Sequence, residues 1–248
     1  ELADAMPETY ARTSYPLVLK VALQKMEPLP FKGGPLFALH KGGIGLHELV
    51  VSFRQILLSS TISKKYHSFL RSQLVAQCEG FLKPMQCGGR SGRGCDMASH
   101  ALMLAGGLAK KCGYTVIKLF FDVKSAYYTA IRELIVRRPG QSIDKEWMRR
   151  HLRLPEQDMQ EFMEKLELPC ILEKAGASEH LRLMTDEALS QTWFEMAEET
   201  TETHRGTKPG DPLADFTFCL LFSAALEELG KELRKIDAAF EVEWDGKK

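Results

Sequence analysis

The clearest hydrophobic pattern of the chain is a short apolar run, VIKLFF at residues 116–121, that stops abruptly at Asp122. Such a run predicts a largely buried strand, with the carboxylate at its C-terminal end, where side chains meet solvent. A carboxylate in that position can hold a hard cation such as Mg²⁺, which prefers oxygen ligands. It can equally cap the next turn, and the run alone does not decide between the two roles.

Apolar residues recur at helical spacing in several longer stretches. Ser59 or Ser60 can cap a helix that runs to about Glu79, and its apolar face consists of Ile62, Tyr66, Phe69, Leu70 and Leu74. Further helices are predicted for residues 96–112, 126–136, 144–151, 155–166 and 213–233, with a weaker one at 16–26.

Strand patterns are fewer and shorter than helix patterns. Residues 181–184 and 189–196 predict a pair of strands, followed by an acidic connection to residue 202 that is typical of a solvated turn. Residues 238–242 predict a last strand, which runs into a turn at 244–246. Helices and short strands in this order predict an α+β fold.

Composition is that of an ordinary soluble globular protein. The 248 residues, 44% hydrophobic and 27% charged, suffice for one large domain or two small ones. The six cysteines are scattered without a C-x-x-C pair, which predicts reduced thiols in an intracellular protein of the nucleus or cytoplasm. No apolar run reaches the roughly 20 residues that span a bilayer, and no signal peptide is visible, so we expect neither a membrane protein nor a secreted one.

Charge is distributed unevenly although it balances overall. Between His40 and His151 there are 18 Lys and Arg against 7 Asp and Glu, a net charge of +11, while the remainder carries 15 against 26. A basic block of this size predicts a surface that binds polyanions, although a solvated surface with chance asymmetry gives the same count.

Two glycine-rich stretches have compositions that suit phosphate contacts. The first, QCGGRSGRGCD at residues 86–96, interleaves glycines with Arg90 and Arg93 before a predicted helix. Glycine lets backbone N–H groups approach a phosphate, arginine supplies paired donors, and the helix start adds a positive pole. The second, GTKPGDPLAD at residues 206–215, leads into an apolar helix that Asp211 can cap. Both stretches are also compatible with plain helix-entry loops, the first with Asp96 as the cap.

Four motifs in this order resemble those of reverse transcriptases of the non-LTR retrotransposon type. Arg54 and its apolar neighbours, followed ten residues later by Lys64, are similar to the family's R-P-I-S-L-L and lysine. Residues 86–96 are similar to Q-x-G-F-R-x-G-R-S-T-x-D, and FDVKSAY at 121–127 matches D-x-x-x-A-[FY]. Residues 206–213 resemble G-x-x-Q-G-D-P-L. Four such motifs in the right order over residues 54–215 form a specific combination.

The resemblance implies a right-hand polymerase fold of the α+β class. That fold would comprise helical fingers and a partial antiparallel palm sheet, with no thumb in this chain. The implied division is an N-terminal extension at residues 1–45, fingers at 46–115, and an incomplete palm at 116–248 with a helical insertion at about 140–180.

The implied activity is RNA-directed DNA synthesis from dNTPs. A primer 3′-hydroxyl attacks the α-phosphate, and two Mg²⁺ ions about 4 Å apart stabilise the attacking and leaving oxygens in such reactions. By the resemblance, Asp122 is the catalytic carboxylate and a metal ligand, and the carbonyl of Val123 helps to bind the metal. The implied partners are an RNA template and a DNA primer, with no membrane.

The resemblance also assigns residues to the substrates. Arg54 and Lys64 would face the triphosphate, and Gly206 and Gly210 would lie against the nascent base pair and template. Tyr127 would lie beneath the incoming sugar, where its ring would clash with a 2′-hydroxyl. The basic residues expected to contact nucleic acid are Lys65, Arg90 and Arg93.

The chain departs from the family pattern in three respects. Tyr128 replaces the second acidic residue of the third motif, and Pro209 replaces the glutamine of the fourth. The family's paired aspartates, [FY]-x-D-D, and its thumb are not found, so we expect a polymerase fragment. We expect this isolated chain to be inactive, because one carboxylate of three cannot fix two cations.

Two other readings of the sequence remain open. One is a decayed mobile-element relic that binds RNA through its basic fingers without chemistry. The other is a metal-dependent hydrolase built on Asp122, although no second clustered carboxylate or histidine motif accompanies it.

Overall fold

The computed structural model of the chain describes residues 5–41, 53–118, 120–123, 125–138, 144–152 and 155–238. The helices, in chain order, are α1 Pro7–Gln24, α2 Thr61–Cys78, α3 Cys95–Lys111, α4 Ala126–Thr129, α5 Arg132–Ile135, α6 Lys145–Leu152, α7 Glu156–Glu167, α8 Ile171–Lys174, α9 Glu179–Leu189 and α10 Pro212–Lys235. The strands are β1 Gly33–His40, β2 Phe53–Leu57, β3 Thr192–Met196 and β4 Glu199–Thr203. The predicted α+β class is confirmed.

The strands form one mixed sheet in the order β2-β1-β3-β4. β1 pairs antiparallel with β2, and β3 pairs antiparallel with β4. β1 and β3 are parallel, from Gly33 opposite Trp193 to Pro35 opposite Glu195, which corrects the prediction of an antiparallel sheet. Glycine permits this pairing, because a Cβ on Gly33 would lie 2.1 Å from the carbonyl oxygen of Trp193.

The predicted strand at residues 181–184 is wrong, because these residues lie in helix α9. The predicted strand at 189–196 is partly right and corresponds to β3. Its partner β4 comes from the acidic residues that we predicted as a turn, and it is a mostly exposed strand made only of Thr and Glu. The actual turn consists of Ala197 and Glu198, both with positive φ, which matches a two-residue hairpin connection.

The strand predicted at residues 116–121 is also wrong. The described residues of that stretch form neither strand nor helix, and Leu119 lies outside them. Ile117, Phe120 and Phe121 are 80%, 85% and 79% exposed. None of the four described strands pairs with this stretch, and a lone strand leaves its backbone N–H and C=O groups without partners.

Most predicted helices are confirmed, with ends within a few residues of those expected, but α1 begins at Pro7 and not near residue 16 as predicted. The Ser60 hydroxyl caps α2 by accepting a hydrogen bond from the Ser63 N–H at 3.1 Å. Asp96 does not cap α3, because Gly94 occupies the N-cap and Asp96 lies in the first turn. The helix predicted at 126–136 is broken into α4 and α5 by two residues with extended ψ angles, Ala130 and Ile131.

The main hydrophobic core joins α1, α2, α5, α8, α9 and α10. Its most deeply buried side chains are Leu74, Cys78, Ile135, Leu172, Ala188, Phe216 and Leu220. A smaller cluster links α6 to α7 through Met148, Met159, Phe162 and Leu166. Burial of apolar surface at about 25 cal/mol per Å² holds α2 and α10 together, and the start of α10 carries the loop described below.

The predicted strand at 238–242 and the turn at 244–246 lie outside the described residues, apart from Ala238. The boundaries of the fingers and the palm stay a prediction. All six thiols are free, at Cys78, Cys87, Cys95, Cys112, Cys170 and Cys219.

Candidate functional site

The candidate site is built around residues 206–211, which we call the glycine loop. Gly206 and Gly210 have φ values of 84° and 95°, which L side chains rarely adopt. A Cβ on Gly206 would lie 2.7 Å from the Tyr127 carbonyl oxygen, and one on Gly210 would lie 3.0 Å from the Leu57 carbonyl oxygen. Both positions therefore need glycine for their backbone conformation, and Gly206 also needs it for space.

One side of the glycine loop is bonded to α4 and the residue that follows it. The Gly206 N–H donates to the Ala130 carbonyl at 2.7 Å, and the Thr207 N–H donates to the Tyr127 carbonyl at 2.6 Å. The break between α4 and α5 leaves the Ala130 carbonyl free of helix pairing, so it can accept this bond. The third and fourth motifs, about eighty residues apart, thus share a backbone hydrogen bond, between Thr207 and Tyr127.

The other side of the glycine loop is bonded to β2. The Leu57 N–H donates to the Pro209 carbonyl at 3.2 Å. The Tyr128 hydroxyl donates to the Gln55 carbonyl at 2.9 Å and links α4 to the same strand. Tyr128, which departs from the family pattern, thus has a structural role that the sequence did not indicate.

Arg132 holds the chain that enters the glycine loop. Its guanidinium donates to the carbonyl oxygens of Thr203, Arg205 and Gly206 at 2.8, 3.0 and 2.8 Å, and to the Thr203 hydroxyl at 2.9 Å. The residue is 8% exposed, and burial lowers the pKa of Arg132 to about 10. Sequence reasoning missed this residue, because an arginine in a predicted helix is typical of a solvated face.

The C-terminal end of the glycine loop starts α10. Asp211 caps the helix as predicted, because its Oδ1 accepts from the Leu213 N–H at 2.9 Å. Its Oδ2 lies 2.6 Å from Nδ1 of His67, and Nε2 of His67 lies 3.1 and 3.2 Å from the two carboxylate oxygens of Glu27. Nζ of Lys208 lies 3.5 Å from Asp211 Oδ2. These four ionisable side chains are almost completely buried.

The surroundings of Asp211 and His67 favour the ionised form of each side chain. Burial alone would raise the pKa of Asp211, but the Lys208 ammonium and the hydrogen bond from His67 lower it to about 2. Burial and Lys208 would lower the pKa of His67, but its hydrogen bonds to Asp211 and Glu27 raise it above the ordinary value.

Tyr127 lies at the edge of the glycine loop with 37% of its surface exposed. Its ring centroid lies 5.5 Å from that of Phe218 on α10. Burial and the nearby carboxylate of Asp215 raise the pKa of Tyr127, so its hydroxyl is un-ionised at neutral pH. The structure therefore brings Tyr127, Gly206 and Gly210 together, as expected for residues of one site.

Arg54 and Lys64 flank this region on β2 and α2. Arg54 is exposed and lies opposite Leu39 of β1, on the strand whose Leu57 contacts the glycine loop. Lys64 lies half-buried in the first turn of α2, and its neighbour Lys65 is exposed. Their assignment to triphosphate and nucleic acid stays a prediction.

Asp122 and Val123 are exposed and do not lie at the end of a strand. Within the described ranges, no three His, Cys, Asp or Glu side chains are grouped in a way that could hold a metal ion. The structure does not bring Asp122 together with another predicted metal ligand besides Val123, its neighbour in the chain. The assignment of Mg²⁺ to these residues stays a prediction.

Arg90 and Arg93 donate hydrogen bonds inside the molecule. Nε of Arg90 donates to the Glu79 carboxylate at 3.1 Å, and its Nη1 donates to the Lys83 carbonyl at 3.2 Å. Arg93 donates to the Pro84 carbonyl. These bonds fold the 86–96 segment back onto the end of α2. The predicted contacts with nucleic acid must therefore compete with bonds that these side chains already make.

The 86–96 segment is also tied to α10. Arg71 of α2 donates to the Gly89 carbonyl at 2.8 Å and to the Asp215 carboxylate at 3.1 and 3.2 Å. The Gln86 side chain donates to the Cys219 carbonyl at 2.8 Å. The sequence did not predict the contact between Arg71 and Asp215, because isolated charged residues on predicted helices form no recognisable motif.

Part of the basic block is neutralised by the acidic remainder of the chain. Ion pairs between the two regions are Arg71–Asp215 at 3.1 Å, Lys83–Glu227 at 2.9 Å, Arg138–Glu187 at 2.5 Å and Lys145–Glu167 at 2.7 Å. The local excess of positive charge in the sequence therefore overstates the charge available to a polyanion.

No protein-family model matches the chain, and a comparison with curated proteins found no match either. Function must therefore be inferred from the motifs and contacts of the chain itself. Over the described ranges, no helix combines the length and the apolar character needed to cross a membrane.

Proposed function

We propose that the chain is the fingers and part of the palm of a reverse transcriptase of the non-LTR retrotransposon type, with a right-hand polymerase fold. The observation that carries this proposal is the meeting of four sequence motifs around the start of α10. The motifs are spread over residues 54–215, yet each of the first three contacts the fourth motif or the helix that follows it.

Each of these contacts is specific. The first motif reaches the fourth through Leu57 and Pro209, and the third through Tyr127 and Thr207. The second reaches α10 through the Cys219 thiol, which donates to the Gly88 carbonyl at 3.2 Å. Residues that serve one substrate must lie together in space, and this convergence supports a common role for the motifs.

The glycine loop offers a surface suited to a base pair. Gly210 is exposed and carries no side chain, so a flat ligand can approach the backbone there closely, while Gly206 is buried against Tyr127 and shapes the loop. Tyr127 supplies an exposed aromatic edge beside the loop, and Arg54 supplies a guanidinium on the adjoining strand, suited to phosphate oxygens.

The metal requirement is only partly met by the described residues. Asp122 offers a carboxylate and Val123 a carbonyl, which are the oxygen donors that Mg²⁺ takes. Bound Mg²⁺ would stabilise the charge that develops on the phosphate oxygens. Mg²⁺ has an octahedral shell of about six ligands, and these two residues offer only part of it. We therefore assign no catalytic step to them alone.

Binding of an RNA template annealed to a shorter DNA primer tests the proposal. Fluorescence anisotropy should show tighter binding of this recessed hybrid than of single-stranded RNA. Addition of Mg²⁺ and the complementary dNTP should tighten the complex, while the three mismatched dNTPs should not. Equal effects of all four dNTPs, or none, would contradict the proposal.

Two glycine variants form a matched pair for this test. Gly206→Ala should abolish the effect of the complementary dNTP, because a Cβ there meets the Tyr127 carbonyl oxygen. Gly107→Ala places its Cβ in open space on α3 and should retain the effect. If both variants lost the tightening by the complementary dNTP, this tightening would not depend specifically on the glycine loop.

A second candidate function is RNA binding without chemistry. The observation that favours it is the basic block, in which Arg54 and Lys65 are exposed. The binding constant for RNA would then fall steeply with salt, with no preference for a recessed end and no response to dNTPs.

A further inference from the structure

A buried histidine lies between two buried carboxylates that come from distant parts of the chain. His67 is on α2, Glu27 follows α1, and Asp211 closes the glycine loop. Their side chains are 0%, 0% and 1% exposed. Three separate segments therefore meet at one imidazole ring.

Two ionised carboxylate partners favour a proton on each ring nitrogen. Nδ1 of His67 lies 2.6 Å from an oxygen of Asp211, and Nε2 lies 3.1 Å from an oxygen of Glu27. A neutral imidazole has a single N–H, so its other nitrogen would present a lone pair to a carboxylate. Only the imidazolium cation donates to both carboxylates at once.

Charges around the ring favour the cation on balance. Burial of the ring disfavours its positive charge, and so does Lys208, whose Nζ lies 3.5 Å from Asp211 Oδ2. The two carboxylates on either side of the ring oppose both effects, and the net result is a raised pKa of His67. A neutral ring would leave Glu27 as a buried anion facing a lone pair, which is costly in an apolar surrounding.

Other ionisable groups packed against the cluster are already engaged. The Tyr66 ring lies 5.6 Å from the His67 ring, and burial holds its phenol un-ionised. Glu187 accepts from the Glu27 N–H at 3.2 Å and from the Lys32 ammonium at 2.5 Å. These partners fix Glu27 in place beside His67.

We propose that His67 is a proton-dependent latch for the glycine loop. The protonated ring ties Asp211, and with it the loop and the start of α10, to α2 and Glu27. Loss of the proton releases the loop. The latch rests on the packing of these residues and not on the proposed function, so it stands or falls separately from nucleotide binding.

The latch predicts a definite direction of pH dependence. A group whose pKa is raised by folding contributes stability that is complete below its unfolded value of about 6.5. That contribution is lost as the pH rises through the raised pKa of the folded protein. The glycine loop should therefore open on the alkaline side.

Nuclear magnetic resonance of the 248-residue chain with labelled histidine gives the first test. We expect both ring nitrogens of His67 to carry protons at pH 6. Backbone hydrogen exchange gives the second, after correction for the intrinsic pH dependence of exchange. Protection of the Thr207 and Asp211 amides should fall by up to about tenfold for each pH unit between about 6.5 and the raised pKa of His67, and should level off above that pKa. A neutral ring at pH 6, or protection independent of pH, would overturn the proposal.

Two variants and a control complete the test. In His67→Gln, the pH-dependent part of the protection should vanish, while exposed His180→Gln should behave like the wild type. If His67→Gln does not fold, Glu27→Gln keeps the shape and removes one charge. It should lower the pKa of His67 and move loop opening to lower pH. An unchanged pKa in Glu27→Gln, or loss of the effect in His180→Gln, would overturn the proposal.

Discussion

Arg132 donates a 2.8 Å hydrogen bond to the carbonyl oxygen of Gly206, which lies 74 residues further along the chain. The bond fixes the start of the glycine loop against α5, while Asp211 fixes its end against α2. The loop is therefore held at both ends by buried charged side chains. A loop held in this way is preorganised, so a ligand need not order it on binding.

Replacement of Arg132 by lysine should destabilise the protein. Lysine keeps the charge but cannot reach the three carbonyl oxygens at once, because it lacks the planar fork of guanidinium donors. We expect a loss of about 2–4 kcal/mol in the free energy of unfolding, measured by urea denaturation. The control variant Arg149→Lys, at an exposed position, should change the free energy of unfolding by less than about 0.5 kcal/mol. An equal loss in both variants would show that Arg132 has no special role.

Gly206→Ala should cost at least about 2 kcal/mol of unfolding free energy. Its φ of 84° is strained for alanine, and the added Cβ would meet the Tyr127 carbonyl oxygen at 2.7 Å. Gly107→Ala lies within helix α3, where alanine should add about 0.5–1 kcal/mol. Thermal or urea unfolding of the two variants should therefore shift in opposite directions.

Acid should weaken the capped end of α10. The pKa of Asp211 is lowered from 3.8 to about 2, so its contribution to stability is complete above pH 3.8 and is lost as the pH falls towards 2. Asp211→Asn keeps a good N-cap but lacks this titration. Its unfolding free energy should change less steeply between pH 4 and pH 2 than that of the wild type, measured by urea unfolding at each pH. Exposed Asp158→Asn should retain the wild-type slope.

Thiol reactivity should separate the cysteines by burial. Cys95 and Cys112 are exposed, whereas Cys78 is buried, and burial raises its pKa to about 11. A chromogenic disulfide reagent should modify the two exposed thiols rapidly and Cys78 only after unfolding. The double variant Cys95→Ser/Cys112→Ser should lose the rapid phase. Rapid labelling of Cys78 in the native protein would contradict the packing of α2 in the core.

Helices could be predicted well because their signals are local. The spacing of Tyr66, Leu70 and Leu74 predicted the buried face of α2, and Ser60 predicted its start. Phe69 was wrongly assigned to that face and is 59% exposed. The same holds for the Asp211 cap of α10. Caps and apolar faces depend on residues three or four positions apart, so a single sequence contains them.

Strands could be predicted less well, because each depends on a neighbour elsewhere in the chain. The apolar run before Asp122 has the composition of a strand but no described partner, whereas β4 has the composition of a turn and pairs with β3. The buried network of Glu27, His67 and Asp211 was not visible either. Polar residues in loops and on helices are usually solvated, and only the fold shows that these three face one another.

The parallel pairing of β1 with β3 has a consequence for how the protein folds. Gly33 and Trp193 are neighbours in the sheet but lie 160 positions apart in the chain. The entropy of closing so long a loop is lost before the contacts between the two strands can compensate for it, so pairings of this kind form slowly. We therefore expect α2 and the hairpin of β3 and β4 to form early, and the complete sheet to appear in the last kinetic phase of refolding.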